Sequence, residues 1–165
     1  MKAIVCMNEN GGIGYKNSLP WKSKKDLRFF KEITTGNGNN AVVMGRKTFD
    51  SMKQRPLFGR RNYVMTKNNF FIDNFKEDVI IESNPVNIIL LDSIFDNVFI
   101  IGGSEIYKLF EDCIDTIYVT HIKNNTYCDA YFPINLINFK RDIISETVDE
   151  NNQTLIFCLY TRTID

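Results

Sequence analysis

The chain has 165 residues, of which 44% are hydrophobic and 24% charged, and its 20 basic and 20 acidic side chains cancel. This length predicts one domain over residues 1–165 that folds without metals or cross-links, and the balanced charge excludes the basic footprint of a nucleic-acid or membrane binder. Four scattered cysteines, one histidine and no apolar run of transmembrane length predict a cytoplasmic protein without structural zinc or disulfides.

The amino-terminal part is predicted to be a buried strand followed by a long loop. The strand runs from Lys2 to Met7 and the loop from Asn8 to Trp21, rich in Gly and Asn. Long loops without structure are uncommon in compact domains and are usually functional. Trp21, the only tryptophan, either packs this loop down or belongs to a lid that keeps water from a ligand.

A helix is predicted from Lys24 to about Thr35, with Ser23 as its cap. Its buried face is expected to carry three apolar side chains, Leu27, Phe30 and Ile33.

Asp26 lies in the first turn of this helix, three and four residues before Phe29 and Phe30. Side chains at that spacing share a face. Asp26 is either an ordinary acid that favours the helix dipole or a buried carboxylate whose pKa is raised until a ligand meets it.

The next strand, Ala41 to Met44, ends at Gly45, and a short helix follows with Arg46, Lys47 and Thr48 at its start. Two cations and a hydroxyl at this point favour a phosphate. The preceding GNGNNA, residues 36–41, is not a dinucleotide fingerprint because it comes before a strand instead of after one.

The middle of the chain alternates strands and loops. A loop with three arginines covers Arg55 to Arg61 and is either a carboxylate site or a solvated charge cluster. Further strands are expected at Asn62 to Thr66, Val79 to Glu82 and Ile114 to Ile122, and a loop at Asn68 to Asp78. A helix is expected from Asn84 to about Phe95, with Val86, Ile89, Leu90 and Ile94 toward the core.

A second junction of strand, glycine and helix lies at Asn97 to Phe110. The apolar run Val98 to Ile101 is typical of a strand buried on both faces. Gly102 and Gly103 follow, and then a helix starts at Ser104 with Ile106, Leu109 and Phe110 as its buried face. Such a junction either holds a nucleotide or only turns the chain.

The carboxyl-terminal part is predicted to be an antiparallel hairpin of Arg141 to Val148 with Thr154 to Arg162, joined at Asp149 to Asn152. The lone His121 is interpreted as structural and not as a catalytic base. The predicted fold is a single α/β domain with a central, mostly parallel twisted sheet, flanking helices and this terminal hairpin.

Several of these stretches together resemble one family, the chromosomal or eukaryotic type of dihydrofolate reductase. They occur in the family's order along nearly the whole chain. The matching residues are Gly12-Ile13-Gly14, Leu19-Pro20-Trp21, Asp26-Leu27 with Phe30, Val43-Met44-Gly45-Arg46-Lys47-Thr48, Arg55-Pro56-Leu57 with Gly59-Arg60, Ile101-Gly102-Gly103-Ser104 with Ile106-Tyr107, Thr120-His121-Ile122, and Asp129 with Phe132-Pro133.

The resemblance implies NADPH-dependent reduction of dihydrofolate to tetrahydrofolate by a monomer. Asp26 would hold the pterin with help from Thr120, and water admitted near Leu19 and Trp21 would carry the proton to N5. Arg60 would clamp the glutamate carboxylate. The implied substrate residues are Ile4, Val5, Asp26, Leu27, Phe30, Lys31, Met52, Arg55, Leu57, Arg60, Ile101 and Thr120.

The resemblance also implies a cofactor site around a cis peptide between Gly102 and Gly103. Three cations are available near the adenosine phosphates, and no acidic residue competes there for the ribose 2′-hydroxyl, so NADPH is favoured over NADH. The implied cofactor residues are Cys6, Ile13, Gly14, Asn17, Ser18, Gly45, Arg46, Lys47, Thr48, Met65, Thr66, Lys67, Ile101, Gly102, Gly103, Ser104, Glu105, Ile106 and Tyr107.

Three residues depart from the pattern of well-known members. Glu105 stands where some bacterial members carry an arginine, Met52 where an isoleucine is common, and Cys128 where a small residue supports the lid. Two alternatives stay open: a reductase of another pterin-like or pyrimidine substrate, which would not need Arg60, and a non-catalytic protein that kept the fold, which would be expected to lose Asp26 or Trp21.

Overall fold

A computed structural model describes residues 1–68 and 78–164 of the chain. Most of the loop predicted at Asn68 to Asp78 lies outside these residues. The described part contains an eight-stranded sheet with strand order β5-β4-β3-β6-β1-β7-β10-β9. Its strands are β1 (Lys2–Met7), β3 (Asn40–Gly45), β4 (Arg61–Met65), β5 (Val79–Glu82), β6 (Asn97–Ile100), β7 (Thr116–Ile122), β9 (Phe139–Val148) and β10 (Thr154–Arg162).

The pairing from β5 through β7 is parallel, whereas β10 runs antiparallel to both β7 and β9. This confirms the predicted α/β class, with a mostly parallel sheet and a terminal hairpin. The hairpin carries a register shift between Phe157 and Cys158. Asp149 closes its turn by accepting hydrogen bonds of 2.9 Å from the N–H groups of Asn151 and Gln153.

The middle strands are apolar because both of their faces are covered. In β3, the consecutive residues Ala41, Val42, Val43 and Met44 are all fully buried. Alternate side chains join two different clusters: Val43 packs on one face with Val5 and Ile100, and Val42 packs on the other with Ile4 and Phe99.

Part of the predicted amino-terminal loop is a strand, which corrects the expectation of a structureless segment. Gly12–Gly14 forms β2, which pairs antiparallel with β8 (Ala130–Tyr131) in a separate two-stranded sheet. The loop folds back here because Gly12 has no side chain: a Cβ at this position would lie 2.5 Å from the Cys128 Sγ.

The first helix, α1 (Lys24–Thr35), begins at Ser23, whose hydroxyl accepts a hydrogen bond from the Asp26 N–H at 3.3 Å. Its buried face differs from the prediction. Phe29, Phe30 and Ile33 pack on the sheet, but Leu27 is 61% exposed. Asp26 takes the buried place in the first turn.

The helix predicted from Asn84 to Phe95 is shorter, and its core face was predicted wrongly. It is α3 (Pro85–Ile89) followed by a 3-10 turn, Leu90–Ser93. The change to three residues per turn after Ile89 shifts the directions of the side chains that follow. Ile88 and Leu91 are buried, whereas the four side chains expected in the core, Val86, Ile89, Leu90 and Ile94, are exposed.

Two short helices follow β3 and β6: α2 (Arg46–Ser51) and α4 (Ser104–Leu109). In α4 the predicted face is partly wrong, since Leu109 is exposed and Tyr107 is buried beside Phe110. Short 3-10 turns cover Glu111–Cys113 and Leu136–Asn138. Among the described residues, no helix is long and apolar enough to span a membrane.

Candidate active site

A cleft of about 1570 Å³ opens at the edge of the sheet where the parallel strands end. The ends of β1, β3, β4 and β6 and the starts of α1, α2 and α4 supply its walls. Ligand sites in open α/β sheets lie at this carboxyl edge. The volume exceeds the ordinary range for one small-molecule site, about 300–1,000 Å³, so the cleft has room for two ligands side by side.

Asp26 stands at the inner wall of this cleft and is only 8% exposed. Burial raises the pKa of its carboxyl above the ordinary value, while hydrogen bonding with the Thr120 and Cys6 side chains offsets part of this rise. Within residues 1–68 and 78–164, no lysine or arginine contributes to this shift. The site therefore presents a carboxyl group prepared for a ligand that donates hydrogen bonds or carries positive charge.

Trp21 lies beneath the loop and packs with Ile122, Cys128, Leu155 and Phe157. Its side chain is only 6% exposed, so Trp21 packs the loop down, which is the first of the two alternatives considered from the sequence. Among the described residues the buried indole N–H has no acceptor in good hydrogen-bond geometry, and it acts on the nearby Cys6 thiol, whose pKa it lowers. A buried donor of this kind favours a bound water or ligand nearby, since leaving it unpaired costs free energy.

The floor of the cleft is fixed by a bond between two distant elements. The Tyr107 hydroxyl on α4 donates to the Ile4 carbonyl on β1 at 2.7 Å, and the tyrosine ring is buried. The Ile4 oxygen keeps a second lone pair, because a carbonyl can accept two hydrogen bonds. A ligand amino group can therefore still bind at this oxygen.

On the other side of the cleft, the two glycine junctions lie against each other. The Gly45 N–H donates to the Gly102 carbonyl at 2.8 Å, and the peptide bond between Gly102 and Gly103 is cis, as the resemblance implied. A Cβ on Gly45 would lie 3.0 Å from Ile106 Cγ1. Glycine at this position therefore lets the two junctions pack against each other.

Polar and basic groups surround this second half of the cleft. Lys47 and Thr48 line it from α2, and Thr66 and Lys67 line it from the exit of β4. Arg46 also lines it and forms a loose ion pair with Asp50, 3.6 Å from Nε to Oδ2. This arrangement provides several positive charges for an anionic ligand.

Hydrogen bonds tie the loop between β1 and α1 to the segment around Cys128. The Asn8 Oδ1 accepts from the Gly12 N–H at 2.9 Å, and its Nδ2 donates to the Thr126 carbonyl at 2.9 Å. The Asp129 Oδ2 accepts from the Lys16 N–H at 3.0 Å, and the Asp129 N–H donates to the Gly14 carbonyl at 2.9 Å. The loop therefore covers the cleft as an ordered wall in this structure.

Most residues implied by the resemblance line this cleft. All nineteen implied cofactor residues line the cleft, and so does Leu19. On the substrate side, the lining contains eight of the implied residues: Ile4, Val5, Asp26, Leu27, Phe30, Met52, Ile101 and Thr120.

The remaining implied residues lie outside the lining: Trp21, Lys31, Arg55, Leu57 and Arg60. Leu57 packs beside Ile4, and the Arg60 guanidinium donates to the Phe58 carbonyl at 2.8 Å and to the Thr34 Oγ1 at 3.0 Å. His121 Nε2 lies 2.9 Å from the Tyr160 hydroxyl on the neighbouring strand, which supports its structural interpretation.

Sequence reasoning missed seven residues that line the cleft: Ser51, Ser83, Pro85, Leu109, Asp129, Ala130 and Tyr131. Ser83 directly follows β5, so the rule that ligands bind beyond the carboxyl ends of parallel strands could have found it. Asp129 to Tyr131 reach the cleft through the pairing of β8 with β2, for which the sequence carries no local signal.

A parallel sheet, a carboxyl group among apolar walls and two glycine junctions on one large cleft define an α/β enzyme that holds a nucleotide beside a second ligand. The family model described as "Dihydrofolate reductase" matches residues 1–162. The chain therefore belongs to the dihydrofolate reductase family.

Individual relatives agree with this assignment. The chain is 36% identical to a dihydrofolate reductase of Schistosoma mansoni, over 97% of this chain and 95% of that one. It is 37% identical to a bifunctional dihydrofolate reductase-thymidylate synthase of Paramecium tetraurelia, of which it spans only 31%. The structure of dihydrofolate reductase from Enterococcus faecalis complexed with NADP(H) and RAB-propyl superposes with a TM-score of 0.86 at 32% identity, covering 99% of this chain and 96% of that one.

Proposed function

We propose that this chain reduces 7,8-dihydrofolate to 5,6,7,8-tetrahydrofolate with NADPH as the reductant. Membership of the family supports this activity, and so does the bound NADP(H) of the Enterococcus faecalis relative. The observation that carries the proposal is the placement of one buried carboxyl, Asp26, in the same cleft as the paired glycines, Gly102 and Gly103.

Asp26 binds the amino-pyrimidine edge of the pterin, and Thr120 assists through its hydroxyl. The buried carboxyl supports this role, because paired N–H donors from the pterin stabilise its charged form. The Ile4 carbonyl accepts from the pterin amino group beside its bond from Tyr107. Apolar side chains, among them Phe30 and Met52, cover the ring and exclude water.

The glycine side of the cleft would hold the cofactor, which would supply the hydride when bound. Gly45, Gly102 and Gly103 let its rings and pyrophosphate approach the main chain. Lys47, Thr48 and Lys67 hold the phosphates of the adenosine half. The lack of side chains at the glycines and the number of nearby cations support this fit.

The remaining residues complete the reaction. Arg60 clamps the glutamate α-carboxylate at the mouth of the pocket, with Lys31 and Arg55 nearby. The proton reaches N5 through water admitted beside Leu19, which is 42% exposed, and held near the buried Trp21 N–H. Asp26 tunes the pterin electrostatically from the far side of the ring.

We further propose that the chain acts as a monomeric single domain in the cytoplasm. The eight-stranded sheet and the cleft at its edge carry most of the residues assigned here. All four cysteines are unpaired, which supports a reducing compartment. Light scattering on the purified protein at working concentration tests the monomer, and a stable dimer would contradict it.

The activity is tested by mixing purified protein with NADPH and dihydrofolate and following the loss of NADPH absorbance. We expect turnover that depends on both ligands and stops on addition of a diaminopyrimidine antifolate. A protein that binds NADPH but does not oxidise it with dihydrofolate would contradict the proposed function.

A further inference from the structure

The floor of the cleft contains a thiol whose place in the sheet puts it beside the carboxyl of Asp26. In the parallel pairing of β1 with β7, Cys6 lies directly opposite Thr120. Paired residues on neighbouring parallel strands point to the same face. Cys6 and Thr120 therefore stand side by side on the face of the sheet that α1 covers.

The packing clusters confirm which face this is. Along β1, Ala3, Val5 and Met7 join the cluster on one side of the sheet. Cys6 joins the other side, where it packs against the cluster that contains Trp21 and Phe157. Phe29 of α1 packs in that same cluster, one helical turn after Asp26. Cys6, Thr120 and Asp26 all line the cleft.

We propose that Cys6 is a positioning residue for Asp26: the Cys6 thiol on β1 and the Thr120 hydroxyl on β7 lie side by side on the face that α1 covers, from where both can donate to the Asp26 carboxylate. This inference rests on the proposed function of the cleft. The thiol fixes the orientation of the carboxylate toward the pterin and stabilises its charged form.

The electrostatics of the cluster agree with a thiol that donates. Burial first, and then the nearby Asp26 carboxylate, raise the pKa of Cys6 well above its ordinary value, so the thiol keeps its proton at neutral pH. Hydrogen bonding with Cys6 in turn lowers the pKa of Asp26 against the rise caused by burial. The Trp21 indole N–H lowers the pKa of Cys6, whereas Asp149 in the turn between β9 and β10 raises it further. Cys6 in turn raises the pKa of Tyr107 on α4.

The test uses substitutions at Cys6 that separate donation from packing. Cys6→Ala and Cys6→Val remove the donor, the second while keeping the volume filled, and Cys6→Ser keeps a donor. The readout is the affinity for a diaminopyrimidine, followed by fluorescence of Trp21, the only tryptophan in the chain. A cationic diaminopyrimidine pairs with the Asp26 carboxylate, so binding weakens as pH falls through the pKa of Asp26.

We expect this low-pH midpoint to move upward by about half to one pH unit in Cys6→Ala and Cys6→Val, because the carboxylate loses a donor. The midpoint should stay close to wild type in Cys6→Ser. The pH at which kcat/KM for dihydrofolate declines should likewise move upward in Cys6→Ala and Cys6→Val and stay close to wild type in Cys6→Ser. The circular dichroism spectrum of each variant, compared with that of wild type, is the control for an intact fold.

Two results overturn the role of Cys6 while leaving the proposed function intact: an unshifted midpoint in both Cys6→Ala and Cys6→Val, or a shift in Cys6→Ser equal to theirs. The second result would assign the effect to packing. Wild-type protein that neither reduces dihydrofolate nor binds the diaminopyrimidine would contradict the proposed function, and the role of Cys6 would fall with it.

Discussion

At the residue scale, the chemistry of the cleft depends on a carboxyl group that the fold keeps out of water. Asp26 is buried in the first turn of α1, where an acid in solvent would serve equally well as a favourable partner of the helix dipole. Its raised pKa follows mainly from desolvation. A group held this way contributes to function at a cost in stability, which gives two separate predictions for one substitution.

The first prediction concerns turnover. Asp26→Asn removes the charge that tunes the pterin, so we expect kcat/KM at neutral pH to fall by roughly 10²- to 10⁴-fold. The loss should be smaller at a pH where the substrate is already protonated. Steady-state rates at both pH values measure this, and equal rates for wild type and variant at both would refute the assignment of Asp26.

The second prediction concerns stability, which the same substitution should increase although it lowers turnover. Because the folded-state pKa of Asp26 lies above its unfolded value, the ionised group destabilises the fold as pH rises through the interval between them. Asp26→Asn should therefore have a higher Tm than wild type at neutral pH, and the gap should narrow as pH falls toward the ordinary value of 3.8. Calorimetry across this range measures it; a Tm below wild type at neutral pH would contradict it.

Arg60 gives a third prediction at this scale. Its guanidinium is oriented by the Phe58 carbonyl and the Thr34 hydroxyl, and burial lowers its pKa. Arg60→Ala should raise KM for dihydrofolate by roughly 10- to 100-fold, the loss expected for one charge-assisted bidentate pair. A pterin substrate without the glutamate tail should lose nothing. Arg61→Ala is the matched control, and an equal loss for both substrates would exclude the clamp.

At the element scale, the strands and the glycine junctions were predictable from the sequence, whereas the short pairings and the helix faces were not. Apolar runs such as Val98 to Ile101 predict buried strands because both faces are covered. The β2–β8 pair involves five residues with glycine at two of them, so neither periodicity nor propensity marks it. At α3, the prediction assumed one continuous helix from Asn84 to about Phe95, whereas the α-helix ends at Ile89 and a 3-10 turn follows.

In the candidate site, too, residues with a local sequence signal were predicted and residues placed by distant pairings were not. Residues at strand ends and in the glycine turns were found because their local pattern carries chemistry. Tyr131 was missed, since its place in the cleft depends on a partner more than a hundred residues earlier in the chain. The burial of Asp26 also stayed open until the structure placed its helix against the sheet.

The wall formed by β2 yields a prediction at the element scale. Gly12 is buried against Cys128 and Asn8, and an added Cβ would lie within 2.9 Å of both. Gly12→Ala should destabilise the fold by about 1–3 kcal/mol, because the packed neighbours must shift. The matched control is Gly14→Ala, where the nearest atom would lie at 3.4 Å. Denaturant unfolding of both proteins measures the difference, and equal free energies of unfolding would contradict the close packing at Gly12.

At the scale of the whole molecule, the sheet order explains why groups from distant parts of the chain meet. β1 and β6 lie side by side and both end at the cleft, so Ile4 and Cys6 come to face the glycine pair that follows β6. Asp26 reaches the same space because α1 packs on the sheet through Phe29 and Phe30. One cleft thus receives from one side the carboxyl that we propose for the pterin and from the other the glycines that we propose for the nicotinamide.

The shared cleft is tested most directly by a crystal structure of the protein with NADP⁺ and folate bound together. We predict the pterin edge on the Asp26 carboxylate and the nicotinamide stacked on the pterin beside Gly102 and Gly103. A complex in which either ring binds away from Asp26 or away from the glycine pair would contradict this arrangement.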